Sequence, residues 1–147
     1  MPVNSGRVVA VNVSEAKGTV KYNVGEAYLE QELGLVGDAH AGFMHRQVSL
    51  LALSSVEKMR KLGADVDYGA FAENLTVEGM ELNTLPIGTK LQVGKAVLEV
   101  SQIGKECHNQ GCAIKKQVGT CIMPIEGIFA RVITSGQVKV GDEVNRV

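Results

Sequence analysis

Short runs of alternating apolar and polar residues, separated by glycine turns, constrain the fold of this chain more than any other feature. The clearest pair, residues 90–93 and 96–100, is joined by Gly94-Lys95, which is typical of a β-hairpin with a two-residue connection. Further strands are predicted at residues 7–13, 19–24, 27–35, 75–78, 128–134 and 137–140, with a last strand after Gly141-Asp142. Many short strands with little helix predict a mainly β fold, a closed and mostly antiparallel β-barrel, because closure leaves no exposed edge. The 17 glycines suit the bends of such a barrel.

One short helix is predicted at residues 55–62. Ser54 is placed to cap its first amides, and Glu57, three residues later, is placed to reach back. Gly63 follows the last apolar residue of the segment, as is common after a helix.

Composition narrows the classes of function. At 147 residues the chain is predicted to form one domain, residues 1–147. The 15 Lys and Arg nearly balance the 16 Asp and Glu, so the chain has no net positive charge that would attract nucleic acid or an anionic membrane. The N-terminal residues do not resemble a signal peptide and no apolar run is long enough to span a bilayer, so we expect a cytoplasmic protein. The chain has three cysteines, an odd number, which fits reduced thiols in that compartment. The sequence leaves the oligomeric state open.

The segment 102–112 concentrates the reactive chemistry. Cys107 lies between Lys105 and His108 in a loop with glycines on both sides. A cationic neighbour and loop amides lower the pKa of a thiol and favour the nucleophilic thiolate. Cys107 is therefore the candidate reactive atom, the alternative being that it is a small buried apolar residue like most free cysteines.

A second polar loop, residues 37–47, carries Asp38, His40 and Arg46. His40 is a candidate base or ligand, and the guanidinium of Arg46 suits an anion such as phosphate. The alternative is that Asp38 supports a turn while the basic groups face solvent.

Two further positions remain open. Asn74, next to Glu73, is a candidate site amide, although the residues alone favour the capping of a turn. Arg131 lies in a predicted strand, where an inward side chain would need an anionic partner and an outward one would be solvated.

A zinc site built from Cys107, His108, Cys112 and Cys121 is disfavoured, because the sequence has no C-x-x-C pair or second ligand pair at finger spacing. Hydrolase, metalloprotease, phosphate-loop and dinucleotide motifs are also absent from the sequence. Residue chemistry alone therefore indicates a cytosolic barrel with a thiolate site.

Five segments in a fixed order resemble one known family. They are residues 34–42 (GLVGDAHAG), 71–79 (FAENLTVEG), 85–89 (LPIGT), 102–108 (QIGKECH), and 127–132 (GIFARV) with Gly141-Asp142. Together they resemble the MOSC domain, named for the C-terminal domain of molybdenum cofactor sulfurases. The chain is similar to short bacterial members that carry the barrel without extra domains.

The resemblance implies a barrel similar to the pyruvate kinase barrel domain, with Cys107 as the residue that carries sulfur or ligates molybdenum. It also implies binding of molybdopterin, for which Asp38, His40, Arg46, Asn74, Lys105, His108 and Arg131 are the candidate residues. Thiolate and dithiolene sulfur suit such a metal. Pyridoxal phosphate belongs to a separate domain of full-length sulfurases and is not expected here.

Three functions follow from the resemblance. The first is a molybdenum cofactor-associated protein that carries sulfur or delivers the cofactor through Cys107, with cofactor-biosynthesis or sulfur-donor proteins as partners. The second is a cofactor-dependent reductase of N-hydroxylated compounds, and the third is a noncatalytic barrel for storage or interaction. Whether the chain is an enzyme, as a sulfur transferase or a molybdenum enzyme, is left open. In each case we expect Asp38, His40 and Asn74 to converge near Cys107, since a barrel gathers the loops of one end.

Overall fold

The computed structural model describes residues 5–14, 21–36, 47–63, 68, 73–103 and 127–147. In these residues the strands are β1 (Ser5–Val13), β2 (Tyr22–Asn23), β3 (Glu26–Glu30), β4 (Gly34–Leu35), β5 (Val48–Ala52), β6 (Leu75–Glu78), β7 (Lys90–Val93), β8 (Ala96–Ile103), β9 (Ile128–Thr134), β10 (Gly136–Lys139) and β11 (Glu143–Arg146). The helix α1 spans Leu53–Lys61, and a 3₁₀ turn spans Leu82–Thr84.

Seven strands close into a barrel. Their order is β11-β7-β8-β9-β5-β6-β1, and β1 pairs back with β11, with Ser5 opposite Asn145 and Arg7 opposite Glu143. β2 extends the sheet beyond β1. The predicted closed, mostly antiparallel barrel is confirmed, with one exception in the pairing, because β5 and β6 run parallel.

The parallel pair follows from the position of the helix. Two parallel neighbours need a crossover, and α1 begins at Leu53, directly after β5 ends at Ala52. A helix near the predicted place is confirmed, but it begins two residues earlier than predicted, and no side-chain hydrogen bond caps it. The reason is that the strand runs into the helix without a loop, so Ser54 lies inside the first turn. Val56 and Met59, three residues apart, are buried on one face of the helix.

Alternation along the strands divides an inner wall from an outer wall. Side chains two residues apart point to the same face of a sheet, and the inward set forms one buried apolar core. From the central strands this core takes Val48, Leu50, Leu75, Val77, Leu98, Val100, Ile128, Ala130 and Val132. The residues between them therefore face outward, and on β5 and β6 several of these are polar and still buried.

The remaining strands form a second sheet. β3 pairs with β10 on one side and with β4 on the other, and Leu29, Leu35 and Val138 join the barrel core. The prediction of one strand over residues 27–35 is wrong in this respect, because a turn at residues 31–33 separates β3 from β4. β9 and β10 are consecutive in the chain, but they belong to different sheets and do not form a hairpin. β7 and β8 form the hairpin that the sequence predicts, with Gly94 of its turn at φ 57.

Within the described part of the chain, no helix is both long enough and apolar enough to cross a membrane.

The backbones of Gly34 and Gln47, which lie on either side of residues 37–46, approach each other closely. Gly34 has φ 114, and a Cβ there would overlap the backbone carbonyl of Gln47. The Gln47 side chain in turn accepts a hydrogen bond from the backbone amide of Val132 at 2.9 Å. The residues on either side of 37–46 are therefore fixed against each other and against β9.

We expect Gly34→Ala to destabilise the fold by roughly 2 to 5 kcal/mol, because it adds a steric overlap to an unfavourable positive φ. Gly88→Ala is the matched control, since Gly88 also has a positive φ of 94 but nothing within 4 Å of the added Cβ. Urea unfolding of both variants measures the difference. Equal losses of unfolding free energy would contradict a tight contact between Gly34 and Gln47.

Candidate functional site

Most of the predicted site lies outside the described residues. This applies to Asp38, His40, Arg46, Lys105, Cys107 and His108, and to Cys112 and Cys121 of the disfavoured zinc site. Their roles, and their convergence, stay predictions. Asn74 and Arg131 are described.

The strand register brings the start of β6 close to the end of β8. Asn74 donates its backbone amide to the Ser49 carbonyl at 2.9 Å, Ser49 lies opposite Phe129, and Phe129 lies opposite Gln102. Asn74 and Gln102 thus share one row across the barrel wall, three strand spacings apart, or about 14 Å. Cys107 follows Gln102 by five positions in the sequence, so this row is compatible with the predicted convergence.

Asn74 joins three strands through its carboxamide. Its Oδ1 accepts hydrogen bonds from the backbone amide and hydroxyl of Ser49, at 3.0 and 3.2 Å, and its Nδ2 donates to the carbonyl of Asn12 at 3.1 Å. The backbone amide of Asn12 donates to the Asn74 carbonyl at 2.6 Å. Asn74 is 2% exposed. Both lone pairs of its oxygen are therefore used to bind β5, and its amide binds β1.

A second chain of hydrogen bonds runs beside the first. The hydroxyl of Thr76 donates to Glu73 Oε2 at 2.8 Å, and Asn12 Nδ2 donates to Thr76 Oγ1 at 3.2 Å. All three residues are fully buried. We call Asn12, Ser49, Glu73, Asn74 and Thr76 the polar cluster; it lies on the outer wall of the barrel, where β1, β5 and β6 meet.

A buried cation adjoins the polar cluster. Lys21 is 2% exposed, and its ammonium donates to Ser14 Oγ at 3.3 Å. Ser14 and Asn12 are two residues apart on β1 and its continuation, so they share a face. Lys21 therefore places a buried positive charge beside Ser14, on the face that carries Asn12.

Arg131 faces outward, as its strand pattern favoured. Its neighbours Ala130 and Val132 point into the core, and its Nη2 lies 3.1 Å from Glu32 Oε1 and 3.3 Å from Oε2. Glu32 lies in the turn between β3 and β4 at φ 62, an uncommon conformation for a residue with a side chain. The outward guanidinium is thus engaged by a carboxylate, and its predicted contact with a cofactor stays a prediction.

No group of three or more His, Cys, Asp or Glu that could hold a metal is found among the residues the structure describes.

Sequence reasoning missed three members of the polar cluster. Asn12 and Thr76 lie inside apolar strand runs, and Ser49 is the second residue of the apolar run 48–53. A buried polar residue needs a hydrogen-bond partner, so a lone amide in a run of β-branched residues was the feature that could have identified Asn12. Lys21 carries no such feature in the sequence.

Comparison with known proteins agrees with the geometry. The family model described as the MOSC domain matches residues 37–145, most of the chain. This chain belongs to the MOSC domain family. The family is associated with the molybdenum cofactor, and the chain is therefore a molybdenum cofactor-related domain. No curated protein matches it.

Solved structures share the MOSC fold. The YuaD protein from Bacillus subtilis is similar over 95% of this chain and 94% of its own, with a TM-score of 0.79 and 20% identity. YiiM from Geobacillus stearothermophilus is similar over 97% and 75%, with a TM-score of 0.73 and 20% identity. YiiM from Escherichia coli is similar over 97% and 69%, with a TM-score of 0.67 and 21% identity.

The residues matched by the MOSC family model include part of the polar cluster. Ser49, Glu73, Asn74 and Thr76 lie within the matched residues, whereas Asn12 precedes them, as do Ser14 and Lys21. The contribution of β1 to the polar cluster is therefore known from the structure of this chain and not from the family match.

We expect Asn74→Ala to lower the unfolding free energy by roughly 2 to 4 kcal/mol, since it leaves buried partners on Ser49 and Asn12 unsatisfied. Asn145→Ala is the matched control, because its amide makes one exposed hydrogen bond, to Glu143 at 3.5 Å. That change should stay within about 0.5 kcal/mol. Denaturant unfolding compares the two variants, and a loss of the same size in both would refute the structural role of Asn74.

The pair of Arg131 and Glu32 should contribute little stability. Its side chains are 40% and 57% exposed, and exposed pairs typically couple by less than about 1 kcal/mol. A double-mutant cycle with Arg131→Gln and Glu32→Gln measures this coupling, which should shrink further in 1 M salt. A coupling well above that range, insensitive to salt, would contradict this assignment.

Proposed function

We propose that this MOSC domain carries sulfur as a persulfide on Cys107 and passes it on in molybdenum cofactor metabolism. The observation that carries the proposal is the family match, because its residues 37–145 include the segment 102–108 with the cysteine that the family resemblance identifies. Soluble sulfur-donor proteins of the cysteine desulfurase class are the proposed partners. The cytoplasm, where thiols stay reduced, is the proposed location.

The proposed step is a sulfur transfer that needs no added oxidant. The Cys107 thiolate attacks the terminal sulfur of a donor protein's cysteine persulfide, the donor S–S bond breaks, and the donor cysteine leaves as thiolate. A new S–S bond forms on Cys107, and the same exchange in reverse releases the sulfur to an acceptor. Lys105, two residues away in sequence, supplies a positive charge that favours the thiolate.

The alternative proposal is that the domain binds the molybdenum cofactor. Among the described residues, the buried acceptor Asn12 Oδ1 has no hydrogen-bond partner, and a donor group of a ligand would satisfy it. When bound, the cofactor would supply a metal centre with a soft dithiolene ligand set, to which the thiolate of Cys107 is matched.

Incubation with a cysteine desulfurase and cysteine, followed by intact-mass measurement, tests the sulfur carrier. We expect an adduct of one sulfur in wild type, lost in Cys107→Ser because the attacking thiolate is removed. Cys112→Ser, from the same loop, is the matched control and should keep the adduct. No adduct in wild type, with molybdenum retained through gel filtration, would replace sulfur transfer by stable cofactor binding as the function.

A further inference from the structure

One of the five segments that carry the family resemblance has no assigned role. Residues 85–89 (LPIGT) contain no ionisable side chain and no thiol, whereas each of the other four segments contains a candidate site residue. The structure describes all five residues of the segment. Their arrangement therefore indicates what the segment contributes.

The segment forms a turn that is fixed to the barrel. The backbone amide of Thr89 donates to the Pro86 carbonyl at 3.1 Å, and the amide of Gly88 donates to the Val100 carbonyl of β8 at 2.8 Å. Gly88 has φ 94, which favours glycine at this position of a turn. Leu85 is part of the barrel core. The turn is therefore held both by the core and by the edge of β8.

The tip of the turn presents an exposed isoleucine. Ile87 is 66% exposed, although Leu85 and Thr89 are buried. Ile103, the last residue of β8, is 38% exposed. Because Ile103 follows Val100 by three residues, it lies within about 15 Å of Ile87. A single exposed apolar residue needs no explanation, but two beside one strand end form a surface that a partner can cover. We call Ile87 and Ile103 the isoleucine patch.

Positive charge borders the isoleucine patch. At this end of the flanking strands, the charged residues are Lys90 on β7, Arg146 on β11 and Glu99 on β8. Lys90 and Arg146 are exposed, and Glu99, which lies opposite Lys90, is half-buried. Two cations against one carboxylate favour a partner whose apolar contact is bordered by acidic side chains.

The isoleucine patch lies within reach of the proposed sulfur carrier. Cys107 follows Ile103 by four positions, which limits the separation of their Cα atoms to about 14 Å. Ile87 is then at most about 30 Å from Cys107, which is the width of a standard interface of about 800 Å² per partner. Persulfide exchange requires contact between sulfur atoms of the two proteins. A donor protein that covers the patch can therefore present its persulfide to Cys107.

We propose that the isoleucine patch is the docking site for the protein that donates sulfur to Cys107, and that this donor carries its persulfide beside an apolar surface with an acidic border. The inference rests on the proposed function and adds its interaction surface. The turn at residues 85–89 then acts in partner binding and takes no part in the exchange of sulfur itself.

Two sulfur donors of different size separate docking from chemistry. A cysteine desulfurase with cysteine is the protein donor. Glutathione persulfide is the small donor, which transfers its outer sulfur to the Cys107 thiolate and leaves as glutathione thiolate. Ile87→Asp should slow loading by the desulfurase about tenfold or more, because it places a charge in the apolar contact. Loading by glutathione persulfide should stay unchanged, and intact-mass measurement over time gives both rates.

Val140→Asp is the matched control. Val140 is also an exposed aliphatic turn residue, at 43%, but it lies before the start of β11, whereas Lys90 and the patch lie beside the end of that strand. Its rates with both donors should equal those of wild type. Lys90→Glu should slow loading by the desulfurase severalfold and weaken the dependence of that rate on salt, without affecting the small donor.

Each outcome decides between docking and chemistry. Loading of Ile87→Asp by the desulfurase at the wild-type rate would overturn the docking site and leave the sulfur carrier standing. Equal slowing with both donors would also overturn it, because the change would then act on Cys107 directly, as would loading of wild type by glutathione persulfide alone. Absence of loading from either donor in wild type would overturn the proposed function itself, together with the docking site that rests on it.

Discussion

The parallel contact between β5 and β6 is the constraint on which the rest of the structure depends. Six of the seven barrel pairings are antiparallel, and the single parallel one must be reached through a helix rather than a tight turn. At the start of both strands, backbone groups would lack partners without the Asn74 carboxamide, which binds Ser49 on one side and Asn12 on the other. A buried amide of this kind fixes the register as well as stability, because a slip by one residue would leave several polar groups unsatisfied.

The same constraint explains why the candidate site is polar on the outer wall. Glu73 and Asn74 directly precede β6 and Thr76 is its second residue, and alternation alone would predict a solvated face for the outward ones. They are buried instead, and each forms hydrogen bonds within the wall. This hydrogen-bond network therefore joins β1, β5 and β6, and a change to one of its members will affect the pairing of all three strands.

The sequence predicted the closed barrel, the helix and the β7–β8 hairpin because these depend on local alternation and turn chemistry. It missed the parallel pairing, since nothing in residues 48–52 distinguishes a parallel strand from an antiparallel one. It predicted a cap at Ser54 and a helix start at Ser55 because a capping pattern was present, but β5 continues directly into the helix, which begins at Leu53. Asn74 was a candidate from its position beside Glu73, whereas the positions of Asn12 and Lys21 depend on long-range strand register, which one sequence does not contain. The reactivity of Cys107 stays a prediction, because the residue lies outside the described part of the chain.

Closure of the barrel has a consequence for how the protein is made. The ladder that joins β1 to β11 pairs Ser5 with Asn145, residues from opposite ends of the described chain. During vectorial synthesis on the ribosome, β1 is made well before β11, so the edge of β1 that pairs with β11 stays unpaired until β11 has been made. The local β7–β8 hairpin can form meanwhile, so the nascent chain is expected to depend on chaperones most in the interval before β11 leaves the exit tunnel.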